Sequence, residues 1–482
     1  MNDMEKILEK VTVFVRENKR NIIDDLCTLC KIPSVATKGE DGFIFGKAVD
    51  DALNCAKDIC EKHGVSCEVK HDLGYALSYC GKGDGTVGFF AHCDVVPAAE
   101  DEWVKTKPFV PYFDGTHLFC RGSEDNKAAA IGGIYISKMI NSKILPMNNT
   151  FMCYFGGNEE CGMGDLENFL KNEKIPELSL VPDNGYPVCV GEKGIARFRA
   201  EAKKPFESIT KFDGGNVVNA VIGTLVAEIK YEKSLFDELS NKTCQNEKFT
   251  LQQGDGKIIL TAYGKSTHAA QPETGENAGV LAAQLLCSCE QFNKNDKEIL
   301  ENLCSLCACY DGSGVGISSF DENFQGNTFV LGISRCEEKI ARFSFDCRFG
   351  RKISTADILS SVENAVEKAN FNFVVNEVKD CYVTKTDKRL IDALLSVYAK
   401  MCDTNVESFE PFYSAGGTYA RYLPSSLGLS IHNFAGLDIL YPENLPDGHG
   451  QAHQADECIS IDAFLKGIVT DAMIIYELDK MI

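Results

Sequence analysis

The sequence predicts an α/β protein: a first domain with a mostly parallel mixed sheet flanked by helices, interrupted by an inserted α+β domain. Three observations carry this reading. Strand and helix patterns alternate through the first 191 residues, which favours a parallel inner sheet. From about residue 192 the texture changes to period-two strands with sparser helices. Near residue 388 the first pattern returns. The expected organisation is therefore 1–191, an insertion at 192–387, and 388–482 as the return. A chain of 482 residues gives each domain enough material for its own core.

The elements follow in order. Residues 5–20 and 43–63 have helical spacing, the latter through Ala48, Ala52, Cys55, Ala56 and Ile59. Short apolar strands are expected at 66–71, 76–80, 86–91, 150–155 and 178–181. Between the third and fourth, Ala128, Ile131, Tyr135 and Met139 mark one face of a helix over 127–140. Gly81-Lys82-Gly83-Asp84-Gly85 joins two strands and opens no helix, so it reads as a hairpin turn and not as a phosphate loop. The insertion shows strands at 196–202, 224–231, 257–263, 327–334 and 341–348, with helices at 277–291 and 355–369. The return brings a helix from 388, a Gly416-Gly417-Thr418 turn, a strand at 428–433 and a last helix over 461–478.

Composition narrows the function classes. The formal net charge of −21 argues against nucleic acid or an anionic membrane surface as the main partner, because both demand a basic face. No apolar run reaches the length of a membrane span, and the first residues lack a signal-peptide pattern, so a cytoplasmic protein is expected. In that setting the 22 cysteines read as reduced thiols. Cys27 with Cys30, and Cys304 with Cys307, have zinc-ribbon spacing but fall in helical patterns. Packed thiols are the expectation there.

Chemistry concentrates where strands end. His92 terminates the apolar run Gly88–Ala91, with Asp94 two residues on, where a carboxylate is placed to hold the imidazole's second nitrogen. Asp125 immediately precedes the 127–140 helix. Glu159 and Glu160 follow the 150–155 strand, Asp183 follows 178–181, and His453 arrives in the return. Each has an ordinary reading as a helix cap, a solvated turn or a surface histidine. Together they gather at the carboxyl ends of an α/β sheet, where ligands bind. Two histidines and three carboxylates suit two divalent ions sharing a bridging carboxylate. Glu159, beside a ligand position, is placed to be a general base.

With those residues in view, the chain resembles the M20 metallopeptidases, and within them the PepV-like (Sapep-type) bacterial dipeptidases. The resemblance rests on His-Cys-Asp-Val-Val-Pro (92–97), Arg-Gly-Ser-Glu-Asp-Asn-Lys (121–127), Asn-Glu-Glu (158–160), Pro-Asp-Asn (182–184), Gly-Lys-Ser-Thr-His-Ala (264–269), Asp-Cys-Arg (346–348), Gly-Gly-Thr-Tyr-Ala-Arg (416–421) and Ala-His-Gln-Ala-Asp-Glu (452–457). It implies a metal-dependent dipeptidase acting on unblocked dipeptides. Asp125 would bridge two ions, His92 and Asp183 completing one sphere, Glu160 and His453 the other. Asp94 would orient His92, and Glu159 would be the base for a metal-activated water. In the insertion, His268 matches an oxyanion-binding histidine, while Asn219, Arg348, Gly416 and Gly417 match substrate-holding positions. The insertion would be a lid of the kind associated with a monomer. The ligand set suits zinc, with manganese or cobalt as alternatives.

Departures from the family pattern are Cys120 and Ala128 where glycine is usual, Asn126 where a second Asp is usual, and Cys93 in place of an aliphatic residue. None removes a ligand. Cys93 and Cys161 are expected to be small buried thiols. Two rivals share the metal centre: a deacylase of N-acyl amino acids and a tripeptide exopeptidase. A non-catalytic binding protein on the same fold needs no general base, and a zinc-buffering cysteine-rich protein would hold metal through thiols.

Overall fold

The computed structural model describes residues 3–39, 42–434 and 440–482. These form two compact units: residues 3–191, 383–412 and 418–482, and residues 192–382 with 413–417. No helix among the described residues is long and apolar enough to cross a membrane.

In the first unit the strands β1 (Cys67–Lys70), β2 (Tyr75–Cys80), β3 (Thr86–His92), β4 (Thr150–Gly156), β5 (Leu178–Val181) and β6 (Ser426–Gly428) lie in the spatial order β1-β2-β4-β3-β5-β6. β3, β4, β5 and β6 run parallel, while β1 and β2 are antiparallel to their neighbours. The inner strands are buried on both faces, which explains their near-continuous apolar runs. The helices are α1 (Asp3–Cys30), α2 (Lys47–Lys62), α3 (Lys127–Asn141), α4 (Gly164–Asn172), α5 (Lys388–Met401) and α6 (Ile461–Leu478).

Three expectations need correction in this unit. Gly81–Gly85 is not a hairpin: β4 lies between β2 and β3, so the segment crosses over it. Helix α1 does not stop at residue 20. Val11, Val15, Ile22, Leu26 and Leu29 keep one buried face, and nothing between them breaks the helix. The strand expected at 428–433 covers only Ser426–Gly428, although Leu429 N–H still bonds the Val181 carbonyl at 2.8 Å.

The second unit is an eight-stranded antiparallel sheet. Its order is Phe249–Gly254, Lys257–Tyr263, Thr224–Lys230, Ile209–Gly214, Thr328–Glu337, Ile340–Phe349, Gly194–Ala202 and Phe371–Lys379. Alternate residues such as Leu225, Ala227 and Ile229 face one core with Leu235, Leu286, Leu303 and Val362 from its helices. The helix expected at 277–291 ends at Cys287, and a separate helix runs Lys294–Leu306 with Asn293 as its cap. Ile209–Gly214 is an interior strand beyond those expected, and two others, Phe249–Gly254 and Phe371–Lys379, are sheet edges. Their exposed polar residues erase the period-two signal.

Candidate metal centre

The parallel register sets the site. His92, the last residue of β3, pairs with Gly156, the last of β4, and Cys93 N–H donates to the Gly156 carbonyl at 2.8 Å. The strand ends are therefore level, and their following loops converge. His92 is 1 % exposed. Its Nδ1 lies 3.0 Å from the Asp94 main-chain carbonyl, which can only accept. Nδ1 thus carries a proton, and Nε2 faces Asp125 Oδ1 at 3.0 Å, with Asp183 Oδ1 at 3.9 Å. The expected support from the Asp94 carboxylate is secondary, at 3.4 Å. That carboxylate instead accepts the Glu159 and Glu160 N–H groups, both at 3.1 Å. Asp94 ties the end of β3 to the loop after β4.

That loop is fixed from the other side by buried Asp165, whose Oδ2 accepts from Gly157 N–H, Tyr154 and Tyr419. Burial raises the Asp165 carboxyl to about 6. Asn158 closes the turn by accepting from Gly164 N–H at 3.1 Å.

Asp125 presents one oxygen to each histidine: Oδ1 to His92, and Oδ2 to His453 Nε2 at 3.1 Å. His453 Nε2 also lies 3.1 Å from Glu160 Oε1. The helix-cap reading of Asp125 does not hold. Asn126 occupies the cap position of α3, and no side chain caps it. Asn126 instead accepts from His92 N–H and donates to the Pro182 carbonyl and Asp183 Oδ1, at 3.3, 2.9 and 3.1 Å. An aspartate there would lack both donors.

Three further residues, Glu457, Glu124 and Asp456, complete the centre and were not singled out from sequence. Buried Glu457 accepts from Arg121 Nη1 and Gly122 N–H through Oε2, and from Glu124 and Asp125 N–H through Oε1, at 2.7 to 3.1 Å. It shapes the loop that carries Asp125. The signal available was a conspicuous Asp-Glu pair after His453. Glu124 accepts from His432 Nε2 at 3.0 Å and from Tyr441. Asp456 holds His449 and two backbone N–H groups at 104 and 105. His453 itself sits at φ 65°, the left-handed region that costs a non-glycine residue energy and recurs at functional sites.

The centre gathers the carboxylates of Asp94, Asp125, Glu159, Glu160 and Asp183 around two imidazoles. Potential donor atoms of His92, Asp125 and Glu160 lie within 4.8 Å of one another, as do those of His92, Glu159 and Asp183. Burial opposes charge on His92 and His453, but the carboxylates beside them hold both well above the ordinary imidazole range. Burial likewise opposes charge on Asp125, yet His453 and His92 keep it well below the usual carboxylate range. Burial pushes Glu159 well above that range, and Asp183 adds to the effect. Glu159 Oε1 is buried with no hydrogen-bond partner among the described residues.

In the second unit, Asn219 and His268 lie on adjacent segments, with Ala269 N–H bonded to the Asn219 carbonyl at 2.9 Å. His268 Nδ1 accepts from Ala270 N–H at 3.1 Å, which places the neutral ring's proton on Nε2. Arg348 is held bidentately by Asp346, at 2.5 and 3.1 Å, and donates to the Ala415 carbonyl at 3.1 Å. Arg348 is therefore in an ion pair internal to this unit. Gly416 N–H bonds Ser414 Oγ at 3.0 Å. Cys93 is buried, and burial pushes its thiol to about 12, whereas Cys161 is exposed, contrary to expectation, because it follows the loop out past Glu160. Neither Cys-x-x-Cys pair belongs to a ligand cluster among the described residues.

Residues 88–477 match the model of peptidase family M20/M25/M40. The Bacillus subtilis (strain 168) protein named "Putative dipeptidase YtjP" is 27% identical, over 97% of this chain and 99% of its own. Among solved structures, the dipeptidase Dug1p of Saccharomyces cerevisiae superposes with TM-score 0.59 at 13% identity, covering 98% of each chain. The metallo-carboxypeptidase Sso-CP2 of Sulfolobus solfataricus gives 0.57 at 15%, covering 95% of this chain and 99% of its own. At these identities the structures establish a shared fold, and the family match over most of the chain adds the lineage: this protein belongs to the M20/M25/M40 peptidases.

Proposed function

We propose that the chain is a metal-dependent dipeptidase that hydrolyses unblocked dipeptides, with Glu159 as general base. The carrying observation is Glu159 itself. It is 9 % exposed, its Oε1 has no partner among the described residues, and its carboxyl is pushed up by burial beside two clusters of potential metal ligands. Five carboxylates around two imidazoles leave excess negative charge in a buried place, which a pair of divalent cations would neutralise. His92, Asp125 and Asp183 would hold one ion, and Asp125, Glu160 and His453 the other. Zinc is the first expectation, with manganese or cobalt next. Such ions lower the pKa of a bound water towards neutrality and polarise a carbonyl.

The residues supply the rest. Glu159 takes a proton through Oε1 and returns it to the departing amine, a role its raised pKa suits. Asp94 keeps Glu159 and Glu160 in register through their backbone N–H groups. In the second unit, His268 would donate from Nε2 to the developing oxyanion. Asn219, the Gly416–Gly417 backbone and Arg348 would hold the substrate. Three of Arg348's five N–H groups are engaged by Asp346 and Ala415.

The test is hydrolysis of free dipeptides, N-acylated dipeptides, tripeptides and acyl amino acids by metal-stripped protein, with zinc, manganese or cobalt restored. Free dipeptides should be cleaved, and Glu159→Gln should lower kcat by about 10²–10⁴ with metal content unchanged. Cleavage of acyl amino acids in preference to dipeptides would move the chain to a deacylase. Full activity in Glu159→Gln would remove the base from the proposal.

A further inference from the structure

Glu159 Oε1 has no hydrogen-bond partner among the described residues, so the backbone of its own loop does most to aim the side chain. That backbone hangs from two buried carboxylates. Asp94 takes the N–H groups of Glu159 and Glu160, and Asp165 takes that of Gly157 at 2.8 Å. On the far side, Asn158 accepts from Met163 N–H through its main-chain carbonyl and from Gly164 N–H through its side chain, at 2.7 and 3.1 Å. These two bonds fasten the loop to the start of α4, the helix that carries Asp165. What holds Asp165 therefore also holds the loop.

Two tyrosines hold Asp165. Its Oδ2, already bonded by Gly157, accepts from the hydroxyls of Tyr419 and Tyr154 at 2.5 and 3.0 Å. With its carboxyl near 6, Asp165 is ionised at neutral pH, and these bonds are charge-assisted. Tyr154 belongs to β4 itself, but Tyr419 lies 254 residues from Asp165, in a short helix over Tyr419–Tyr422. Thr418 caps that helix by accepting from Ala420 N–H. Ser426 Oγ, at the start of β6, donates to the Ala420 carbonyl at 2.7 Å and fixes the helix against the sheet. The Tyr419 ring is fully buried and stands edge-on to Tyr154 and to His92, with centroids 5.6 and 6.5 Å away. A Cβ at Gly156 would collide with the Tyr419 hydroxyl and with Asp165 Oδ2. The hydroxyl thus sits where the loop leaves β4. Packing needs only the ring, and a buried hydroxyl costs free energy unless it is bonded.

We propose that Tyr419 is a positioning residue for the general base: its hydroxyl, through Asp165 and the Gly157 N–H, fixes the loop that presents Glu159. The proposal rests on the reading of Glu159 as the base. Tyr419 acts through the loop and takes no part in metal binding or proton transfer. A reacting group misplaced by about 1 Å can cost about 10²-fold in rate, so one hydroxyl in this chain of contacts is enough to matter.

Tyr419→Phe keeps the ring and its contacts with His92 and Tyr154 and removes only the hydroxyl. Hydrogen exchange of the zinc-loaded protein, read by mass spectrometry, tests the loop directly. A peptide spanning 157–163 should exchange about ten- to a hundredfold faster in the variant, the range for one lost hydrogen bond to a charged group, while peptides from α6 exchange as in wild type. Kinetics on a cleaved dipeptide test the consequence: kcat should fall about ten- to a hundredfold, with KM and zinc content within twofold. A double-mutant cycle with Glu159→Gln separates positioning from general stability. If Tyr419 acts through Glu159, the double variant loses no more than Glu159→Gln alone, whereas independent losses multiply. Loop exchange within twofold of wild type, an unchanged kcat, or losses that multiply would each overturn the proposal. Should Glu159→Gln keep full activity, or no dipeptide be cleaved, the base reading fails while the exchange still decides the hydroxyl's hold on the loop. Faster exchange then supports that hold, and wild-type exchange overturns it.

Discussion

Glu457→Gln tests how the centre is held together. Glu457 is fully buried and accepts four hydrogen bonds, two on each oxygen, including one from Arg121, itself 3 % exposed. A glutamine can keep its carbonyl towards Arg121 and Gly122, but its NH₂ then faces the Glu124 and Asp125 N–H groups. Two bonds to the carboxylate are lost, leaving two buried donors unpaired, at about 1–3 kcal/mol each. Arg121 also loses its counter-charge, and breaking a buried ion pair by removing one partner costs about 3–5 kcal/mol in comparable cases. Together these give an expected loss of about 5 kcal/mol or more. The chain contains one tryptophan, Trp103, and Arg121 lies 5.6 Å from its ring centroid, so its fluorescence reports on this loop. Urea titration followed by Trp103 emission should show a much lower midpoint. Metal titration should show affinity reduced about 10–100-fold, as for other groups that orient ligands. A variant with the wild-type midpoint and metal affinity within twofold would refute the claim that Glu457 positions Asp125.

Two further outcomes follow from the first unit. Asp471, on α6, is buried, accepts from Tyr186 at 2.6 Å through one oxygen, and has no partner for the other among the described residues. Burial holds its carboxyl well above the ordinary range, with Tyr186 only partly offsetting that. The folded state therefore keeps a proton that the unfolded state releases near pH 4, and stability falls as pH rises from there to the folded pKa. Asp471→Asn removes this slope, so its Tm relative to wild type should climb from pH 4 towards neutrality, and parallel profiles would exclude the buried acid. At Gly467, also on α6, an added Cβ would lie 1.6 Å from the Ile431 carbonyl oxygen. Backbone cannot yield as a side chain does, so Gly467→Ala should destabilise by about 3 kcal/mol despite alanine's better helix propensity, and a raised Tm in thermal unfolding would contradict that packing.

The elements that were legible in the sequence are those whose burial pattern is local. β3, β4 and β5 are apolar throughout because both faces are covered, and α6 keeps its apolar face from Ile461 to Leu478. The edge strands Phe249–Gly254 and Phe371–Lys379 were illegible because half-exposed edges carry no such pattern. Gly81–Gly85 was misread because a turn's composition says nothing about which strand comes to lie between its ends.

The same division runs through the centre. The sequence by itself placed His92, Asp125, Glu159, Glu160 and Asp183 at the ends of elements, because a strand end and its next loop are properties of a few consecutive residues. Only the tertiary structure decided that Asp94 spends its carboxylate on the backbone of Glu159 and Glu160, that Asn126 ties His92 to Asp183, and that Glu457 grips the Asp125 loop from 332 residues away. The Glu124–His432 contact spans 308 residues in the same manner. Buried polar groups must find partners wherever the packed chain brings them, so their pairing is fixed by the topology of the whole unit and not by neighbours in sequence.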